Sequence, residues 1–182
     1  MSARLESLDA IEAALWRELA AAPRDRSHPW RTPVLATTDG RSGDARTVIV
    51  READVAARTL LLYTDARSPK AAQIAAYPLG TLVLWSPALS WQLRLGARLE
   101  LQTEGLAASS HWARLKLAPG AQDYLSALPP GSPLDGAVGA RGERTHFALV
   151  EAQVQAIDWL ELHAQGHRRA CFGPDGARWL QP

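Results

Sequence analysis

The chain has 182 residues, of which 47% are hydrophobic, and its formal net charge is +1 at pH 7. Its length and apolar content predict one soluble domain over residues 1–182, and its charge balance gives no general attraction to nucleic acid or membranes. The single cysteine, Cys171, excludes an intramolecular disulfide framework and any cysteine-based zinc site. Because the N-terminus lacks an apolar export segment, we expect a cytoplasmic protein.

The first predicted element is an amphipathic helix over residues 7–21. Its apolar side chains recur on one helical stripe, and Ser7 precedes them as a candidate N-cap. We expect this helix to serve packing. Beyond a loop between Pro23 and Pro33, PVLATT and ARTVIVRE alternate as strands do, and DGRSGD separates them as a turn.

The remaining chain predicts more strands with a few short helices. TLLLYT is the return strand of a hairpin with RTVIVR, and a short helix begins at Ser68. Later segments predict strands at GTLVLWS and SWQLRLGARLELQ, helices over 105–117 and 120–127, a flexible loop over 128–144, and C-terminal strands over 146–182. The strand count predicts a mainly β (α+β) fold, a small antiparallel barrel with peripheral helices.

One cluster of residues is typical of an anion-binding site. RTVIVR places cations in a strand among β-branched residues, which is costly unless those cations have a fixed partner. Ser68 and Pro69 suit the N-cap and first position of a helix, whose free N–H groups and positive dipole end attract anions. Arg46, Ser68 and Lys70 therefore predict a phosphate pocket. The alternative is a surface hairpin with ordinary arginines, followed by a capped helix.

Other cofactor and catalytic motifs are missing from the sequence. It contains no G-x-G-x-x-G after a strand, no Walker-type lysine loop, no G-x-S-x-G and no H-E-x-x-H. His163 and His167 are the only closely spaced histidines, and Gly166 makes a regular strand between them doubtful, so we predict no metal site. Seven tryptophans could stack on a flat ring, although we expect most of them in the core.

The anion-binding segment and the strands around it resemble a known family. The chain carries, in the family's order and spacing, RTVIVR at 46–51, YTD at 63–65, SPK at 68–70 and QLRLG at 92–96. These blocks resemble the FMN-binding split barrels typified by pyridoxamine 5'-phosphate oxidase. The resemblance is strong over residues 33–101 and weak over 146–182, where the ending WLQP is similar to the family's R-L-x-P.

The resemblance implies a split β-barrel, FMN as cofactor, and a homodimer in which each flavin lies at the subunit interface. It implies that Arg46, Ser68 and Lys70 hold the FMN phosphate. Gln92 and Arg169 would contact the flavin, and Arg51 and His167 would face the substrate. A regular strand would place Arg51 on the face opposite Arg46, which leaves a flavin role open for Arg51 as well. Backbone groups along the flavin edge would come from Thr47, Val48, Ile49, Tyr63 and Thr64.

Departures from the family pattern concern mainly the substrate. Pro69 stands where a further phosphate-binding arginine often lies, and Gln165 replaces the arginine that recognises the vitamin. The set that holds substrate phosphate has no counterpart in residues 109–124. We therefore predict an FMN-dependent oxidoreductase with a changed, unknown substrate. The alternatives are a non-catalytic flavin-binding module and a split-barrel protein that binds haem or a deazaflavin.

Overall fold

Antiparallel strands dominate the computed structural model, which describes residues 4–134, 136, 141–142 and 145–182. Within these residues, three α-helices span Leu8–Ala21 (α1), Pro69–Ala76 (α2) and Gly105–Leu115 (α3), and 3₁₀ helices span Pro29–Arg31 and Pro119–Tyr124. The strands are Val34–Thr38 (β1), Gly43–Thr47 (β2), Val50–Asp54 (β3), Thr59–Asp65 (β4), Leu79–Ser86 (β5), Trp91–Gln102 (β6), Phe147–Glu161 (β7), Arg168–Gly173 (β8) and Gly176–Leu180 (β9). The predicted mainly β fold with peripheral helices is confirmed.

The sheet branches at its longest strand. Its main path runs β2-β1-β5-β6-β7-β4-β3, with every neighbouring pair antiparallel. β7 pairs with β6 over its length, with β4 through its first half and with β8 through its second half. This branching splits the barrel, because the C-terminal hairpin of β8 and β9 diverges from the strands β4 and β3.

The main core fills the barrel beneath α1. Trp30, Leu35 and Trp159 are fully buried there, and the buried stripe of α1 packs against them through residues such as Leu15. The predicted helix over 7–21 is confirmed, and the Ser7 hydroxyl accepts a hydrogen bond from the Ala10 amide at 3.2 Å. No helix among the described residues is long and apolar enough to cross a bilayer.

The prediction of one strand over ARTVIVRE is wrong, because the segment forms two strands at different places in the sheet. Arg46 of β2 lies opposite Leu35 of β1, whereas Val50 of β3 lies opposite Leu62 of β4. Between these strands the Val48 amide donates to the Pro33 carbonyl at 2.9 Å. The alternation of side chains continues through this break, so the pattern alone could not reveal it.

The segment after α3 also differs from its prediction. Residues 120–127 were expected to be helical, but a 3₁₀ helix ends at Tyr124, in a stretch that Pro119, Gly120 and the later prolines make a poor α-helix. Ser126 then forms an isolated antiparallel bridge with Arg141. The predicted loop over 128–144 lies partly outside the described residues, so its flexibility stays a prediction. The predicted C-terminal strands are confirmed as β7, β8 and β9.

Candidate functional site

A cavity of about 250 Å³ lies between the β2–β3 connection, the end of β4, the start of α2 and the 3₁₀ helix that follows α3. Its walls bring together seven of the predicted site residues: Thr47, Val48, Ile49, Arg51, Tyr63, Thr64 and Lys70. Four further residues complete the lining: Asp65, Asp123, Tyr124 and Pro130. We call this space the central cavity.

Lys70 presents an underpaired cation to the central cavity. Its ammonium donates a hydrogen bond to the Thr64 hydroxyl at 3.1 Å and forms no ion pair among the described residues. Burial lowers the pKa of Lys70 below its usual range, and the nearby Arg46 lowers it further, against the partial opposition of Asp65 and Asp44. An anion bound here would therefore relieve an existing electrostatic cost.

Arg46 lies beside the cavity wall with its guanidinium already engaged. It donates to the Thr37 hydroxyl at 2.6 Å and to the Gln73 side-chain carbonyl at 3.1 Å, and it forms an ion pair with Asp44. The hydrogen bond from Gln73 and the charge of Arg46 lower the pKa of Asp44. A phosphate would have to compete with this carboxylate for Arg46.

Ser68 supports the cavity from behind. It occupies the N-cap position of α2, as predicted, but its hydroxyl forms no capping bond. The side chain is 1% exposed, and its oxygen lies 3.2 Å from the Thr64 hydroxyl, which receives the Lys70 hydrogen bond. In this arrangement Ser68 orients Thr64 and does not line the cavity.

Arg51 enters the same cavity, although regular pleating across one strand would have set it on the face opposite Arg46. Its guanidinium carbon lies 5.1 Å from the centre of the Tyr63 ring, and its buried Nε has no hydrogen-bond partner among the described residues. Burial raises the pKa of Tyr124, while the positive charge of Arg51 beside it opposes that rise. Arg51 is thus a second cation in the cavity, and it lies beside the phenols of Tyr63 and Tyr124.

The sequence did not predict the ion pair between Arg67 and Asp65, which lies between the 3₁₀ segment and the central cavity. Arg67 forms a two-pronged ion pair with the buried Asp65 and also donates to the carbonyls of Ser126 and Ala127, at 3.0 and 3.3 Å. These bonds hold the chain that follows Tyr124 against the start of α2. No local pattern marks Tyr124 or Asp123 as cavity residues, because they lie where the family resemblance is absent.

Gln92, Arg169 and His167 lie away from the central cavity of their own chain. Gln92 on β6 is opposite Leu160 on β7, and Leu160 is opposite Arg169 on β8. Gln92, Leu160 and Arg169 therefore form one row on the outer sheet face. Arg169 is held by both carboxylate oxygens of Asp158, at 3.1 and 2.6 Å. His167 is exposed before β8, where its Nδ1 accepts a bond from the His163 amide.

Comparison with known proteins identifies relatives of the whole fold. The sequence model for the pyridoxamine 5'-phosphate oxidase FMN-binding domain matches residues 13–103, half of the chain. A pyridoxamine 5'-phosphate oxidase-related, FMN-binding protein from Nostoc punctiforme PCC 73102 superposes with a TM-score of 0.70 at 22% identity, over 99% of both chains. PhzG from Burkholderia lata 383, in complex with tetrahydrophenazine-1-carboxylic acid, gives 0.77 at 16% identity over 100% of both.

More distant similarities extend to another cofactor. A heme-binding protein from Mycobacterium smegmatis superposes with a TM-score of 0.51 at 16% identity, covering 82% of this chain and 56% of that one. No curated protein sequence is detectably similar to this chain. At these sequence identities the superpositions establish the split-barrel fold alone. Membership of a family rests on the sequence model, which matches half of the chain. The chain therefore belongs to the family of the pyridoxamine 5'-phosphate oxidase FMN-binding domain.

Proposed function

We propose that this protein binds FMN in the central cavity and acts as an oxidoreductase on a substrate other than a pyridoxine phosphate. The observation that carries this proposal is Lys70, an underpaired, half-buried cation held by Thr64 at one end of a cavity of the expected composition. Charge-assisted hydrogen bonds to phosphate are among the strongest available to a protein side chain. FMN offers such a phosphate, whereas riboflavin does not.

The other cavity residues suit the remaining tasks of a flavin site. Bound FMN would exchange hydride with the substrate, and the protein would supply orientation and charge. Thr47, Val48 and Ile49 would lie along the edge of the ring, and the guanidinium of Arg51 would attract an anionic group of the substrate. The 3₁₀ segment that carries Tyr124 forms one wall of the cavity.

We further propose that two copies of the chain are needed for a complete site. Gln92, Arg169 and His167 do not line their own cavity, and the first two share an outer sheet face with exposed apolar side chains, including Trp85 (43% exposed). A twofold dimer would bring this face to the partner's cavity, and such isologous contacts are the commonest among small oligomers. Light scattering of the holoprotein should give about twice 19.7 kDa. A monomer that retains FMN tightly would contradict the shared site.

Flavin fluorescence titration tests the cofactor assignment directly. The wild type should prefer FMN to riboflavin and FAD, and Lys70→Ala should weaken FMN binding by roughly ten- to a hundredfold, the loss of about 1.5–3 kcal/mol. The control is Lys116→Ala, which removes the chain's other lysine from an exposed position after α3. Equal FMN affinity in all three proteins would exclude the proposed grip.

Absorption spectra of the purified protein distinguish the remaining assignments. A flavin spectrum supports FMN, whereas a Soret band in its place would identify a haem protein. Turnover of the bound flavin by candidate reductants and acceptors then separates an oxidoreductase from a module that only binds the cofactor.

A further inference from the structure

A cluster of four polar side chains stands in the wall behind the central cavity, and none of the four is the cation proposed to bind the FMN phosphate. It consists of His111 and Arg114 on α3, Tyr63 on β4 and Glu52 on β3, and we call it the His111 cluster. On its far side is a second cavity of about 580 Å³, which Glu52 and His111 line. Tyr63 lines the central cavity, so the cluster joins the two spaces.

The direction of the hydrogen bond between His111 and Tyr63 depends on where the imidazole carries its proton. The phenol oxygen lies 2.8 Å from His111 Nδ1, and burial, followed by the charge of Glu52, raises the pKa of Tyr63 and keeps its hydroxyl a donor. Nδ1 can accept that hydrogen only when the imidazole is neutral and carries its proton on Nε2. Once Nδ1 carries a proton it is a donor, and the Glu52 carboxylate, 3.5 Å away, is a stronger acceptor for it than the neutral phenol oxygen.

The Tyr63 ring is also the surface on which Arg51 rests. The Arg51 guanidinium carbon is 5.1 Å from the ring centre, and the Phe147 ring packs edge-to-face against the ring of Tyr63 at 4.9 Å. Phe147 packs on one side of the ring and His111 contacts its hydroxyl. A movement of the ring would therefore displace the surface on which Arg51 rests.

We propose that His111 is a positioning residue that makes anion binding in the central cavity depend on pH. Neutral His111 holds Tyr63, and thereby Arg51, in the binding arrangement. Arg51 lines the same cavity as Lys70, so its charge contributes to the affinity for any anion held there, FMN included. Protonated His111 turns its Nδ1–H to Glu52 and releases the Tyr63 hydroxyl. The inference rests on the proposed function, because FMN is the anion used to detect it, and it concerns how that site responds to pH.

Titratable and charged groups surround His111. Glu52 of β3, Tyr63 of β4 and Arg114 of α3 contact it, and Asp54 of β3 and Glu151 of β7 line the second cavity with it. Arg114 Nη2 lies 3.1 Å from the same Nδ1. Histidine is the side chain that ordinarily changes charge between about pH 5 and 8, so the experiment covers that interval.

The first test compares FMN affinity at about pH 7.5 and pH 5.5 in matched variants. FMN ionises near pH 6 itself, so the result is the difference between proteins. The wild type should lose about threefold to tenfold more affinity at the lower pH than His111→Gln, whose amide oxygen accepts from Tyr63 at both. Tyr63→Phe keeps the ring, and its FMN affinity should depend on pH as weakly as that of His111→Gln. The control His28→Gln should show the pH dependence of the wild type. Parallel profiles for wild type and His111→Gln would overturn the proposal.

The second test needs no flavin and separates this inference from the assignment of FMN. Proton NMR of the folded protein follows the His111 imidazole in the wild type and in Tyr63→Phe. Loss of the phenol donor removes a bond that only neutral imidazole can accept, so the His111 titration midpoint should move to higher pH. An unchanged midpoint would overturn the proposal whether or not the protein binds FMN, whereas failure to bind FMN with a shifted midpoint would refute the cofactor alone.

Discussion

Cations in the central cavity and cations on the outer sheet face differ in whether a carboxylate pairs with them. In the cavity, Lys70 lacks an ion pair and Arg51 has a buried Nε without a partner, within the described residues. On the outer face, Arg169 and Arg94 both pair with Asp158. Family residues predicted to share one site are thus in different electrostatic states. Lys70 and Arg51 have no carboxylate partner among the described residues, whereas Arg169 and Arg94 already pair with Asp158.

Arg46 lies between these two cases. It stands near Lys70, as the sequence predicted, yet it resembles the outer arginines because Asp44 neutralises it. Proximity to a site therefore does not establish a role in binding. What distinguishes Lys70 is that it is half-buried and forms no ion pair within the part of the chain that the structure describes.

The largest expected effect concerns the substrate end of the site. Saturated with FMN, the protein should oxidise pyridoxamine or pyridoxine 5'-phosphate several orders of magnitude less efficiently than a true family oxidase, because two or three charged contacts at about 1.5–3 kcal/mol each are lost. Gln165 is exposed before β8 and offers no replacement. Gln165→Arg alone should restore little. The assay is aerobic formation of pyridoxal phosphate, with a true family oxidase as the reference. Turnover within tenfold of that oxidase would show that another segment rebuilds the substrate pocket.

The next effect concerns the buried carboxylate at the end of β7 that binds the N-terminal segment and the start of β8. Glu161 is buried and accepts hydrogen bonds from Arg4, Arg168 and Trp91. Removing one partner of a buried ion pair costs about 3–5 kcal/mol, and each kcal/mol corresponds to about 2–4 °C in a domain of this size. Glu161→Gln should therefore lower the unfolding temperature by roughly 6–20 °C. Glu6→Gln, at a residue 82% exposed in its side chain, should have little effect.

The pH dependence of that loss follows from Glu161 itself. Burial alone would raise its pKa, but hydrogen bonds from Arg168, Arg4 and Trp91 outweigh burial and lower it below 4.5. Glu161 thus stabilises the fold above its unfolded pKa, and this contribution is lost as the pH falls through the lower folded value. The gap between wild type and Glu161→Gln should narrow in acid. A gap that persists unchanged would show that packing, not charge, causes the loss.

A smaller effect should separate Arg46 from Lys70. Since Asp44 already neutralises Arg46 and is 45% exposed in its side chain, Arg46→Ala should cost FMN less affinity than Lys70→Ala. Conversely, Asp44→Asn should free the guanidinium and tighten FMN binding by up to about fivefold, the range of an exposed ion pair. Asp39→Asn in the β1–β2 turn controls for lost negative charge. Equal losses from Arg46→Ala and Lys70→Ala would erase the distinction.

The smallest effect is one of stability. The lowered pKa of Lys70 means that its protonated form favours unfolding, so the folded protein gains stability as the pH rises through the folded pKa toward 10.5. Lys70→Met should raise the unfolding temperature of the flavin-free protein by a few degrees at neutral pH, about 2–4 °C for each kcal/mol gained. The difference from wild type should shrink in alkali. Destabilisation by Lys70→Met at neutral pH would contradict the cost assigned to this ammonium.

The sequence by itself determined the helix over 7–21, the mainly β fold, most strand positions and the family. It also predicted seven of the residues that line the central cavity. Local rules suffice for these, because side-chain alternation, capping residues and the spaced blocks around Arg46 and Lys70 all lie close together in the chain. Such rules depend only on neighbours along the sequence.

Only the tertiary structure decided which side chains are free to bind. It broke ARTVIVRE into two strands at different places in the sheet, paired Arg46 with Asp44, and brought Tyr124 into the cavity. It also placed Gln92 and Arg169 on a face away from that cavity. These outcomes depend on register and on charges brought together from distant positions, and an alternating pattern is the same whether a strand continues or ends.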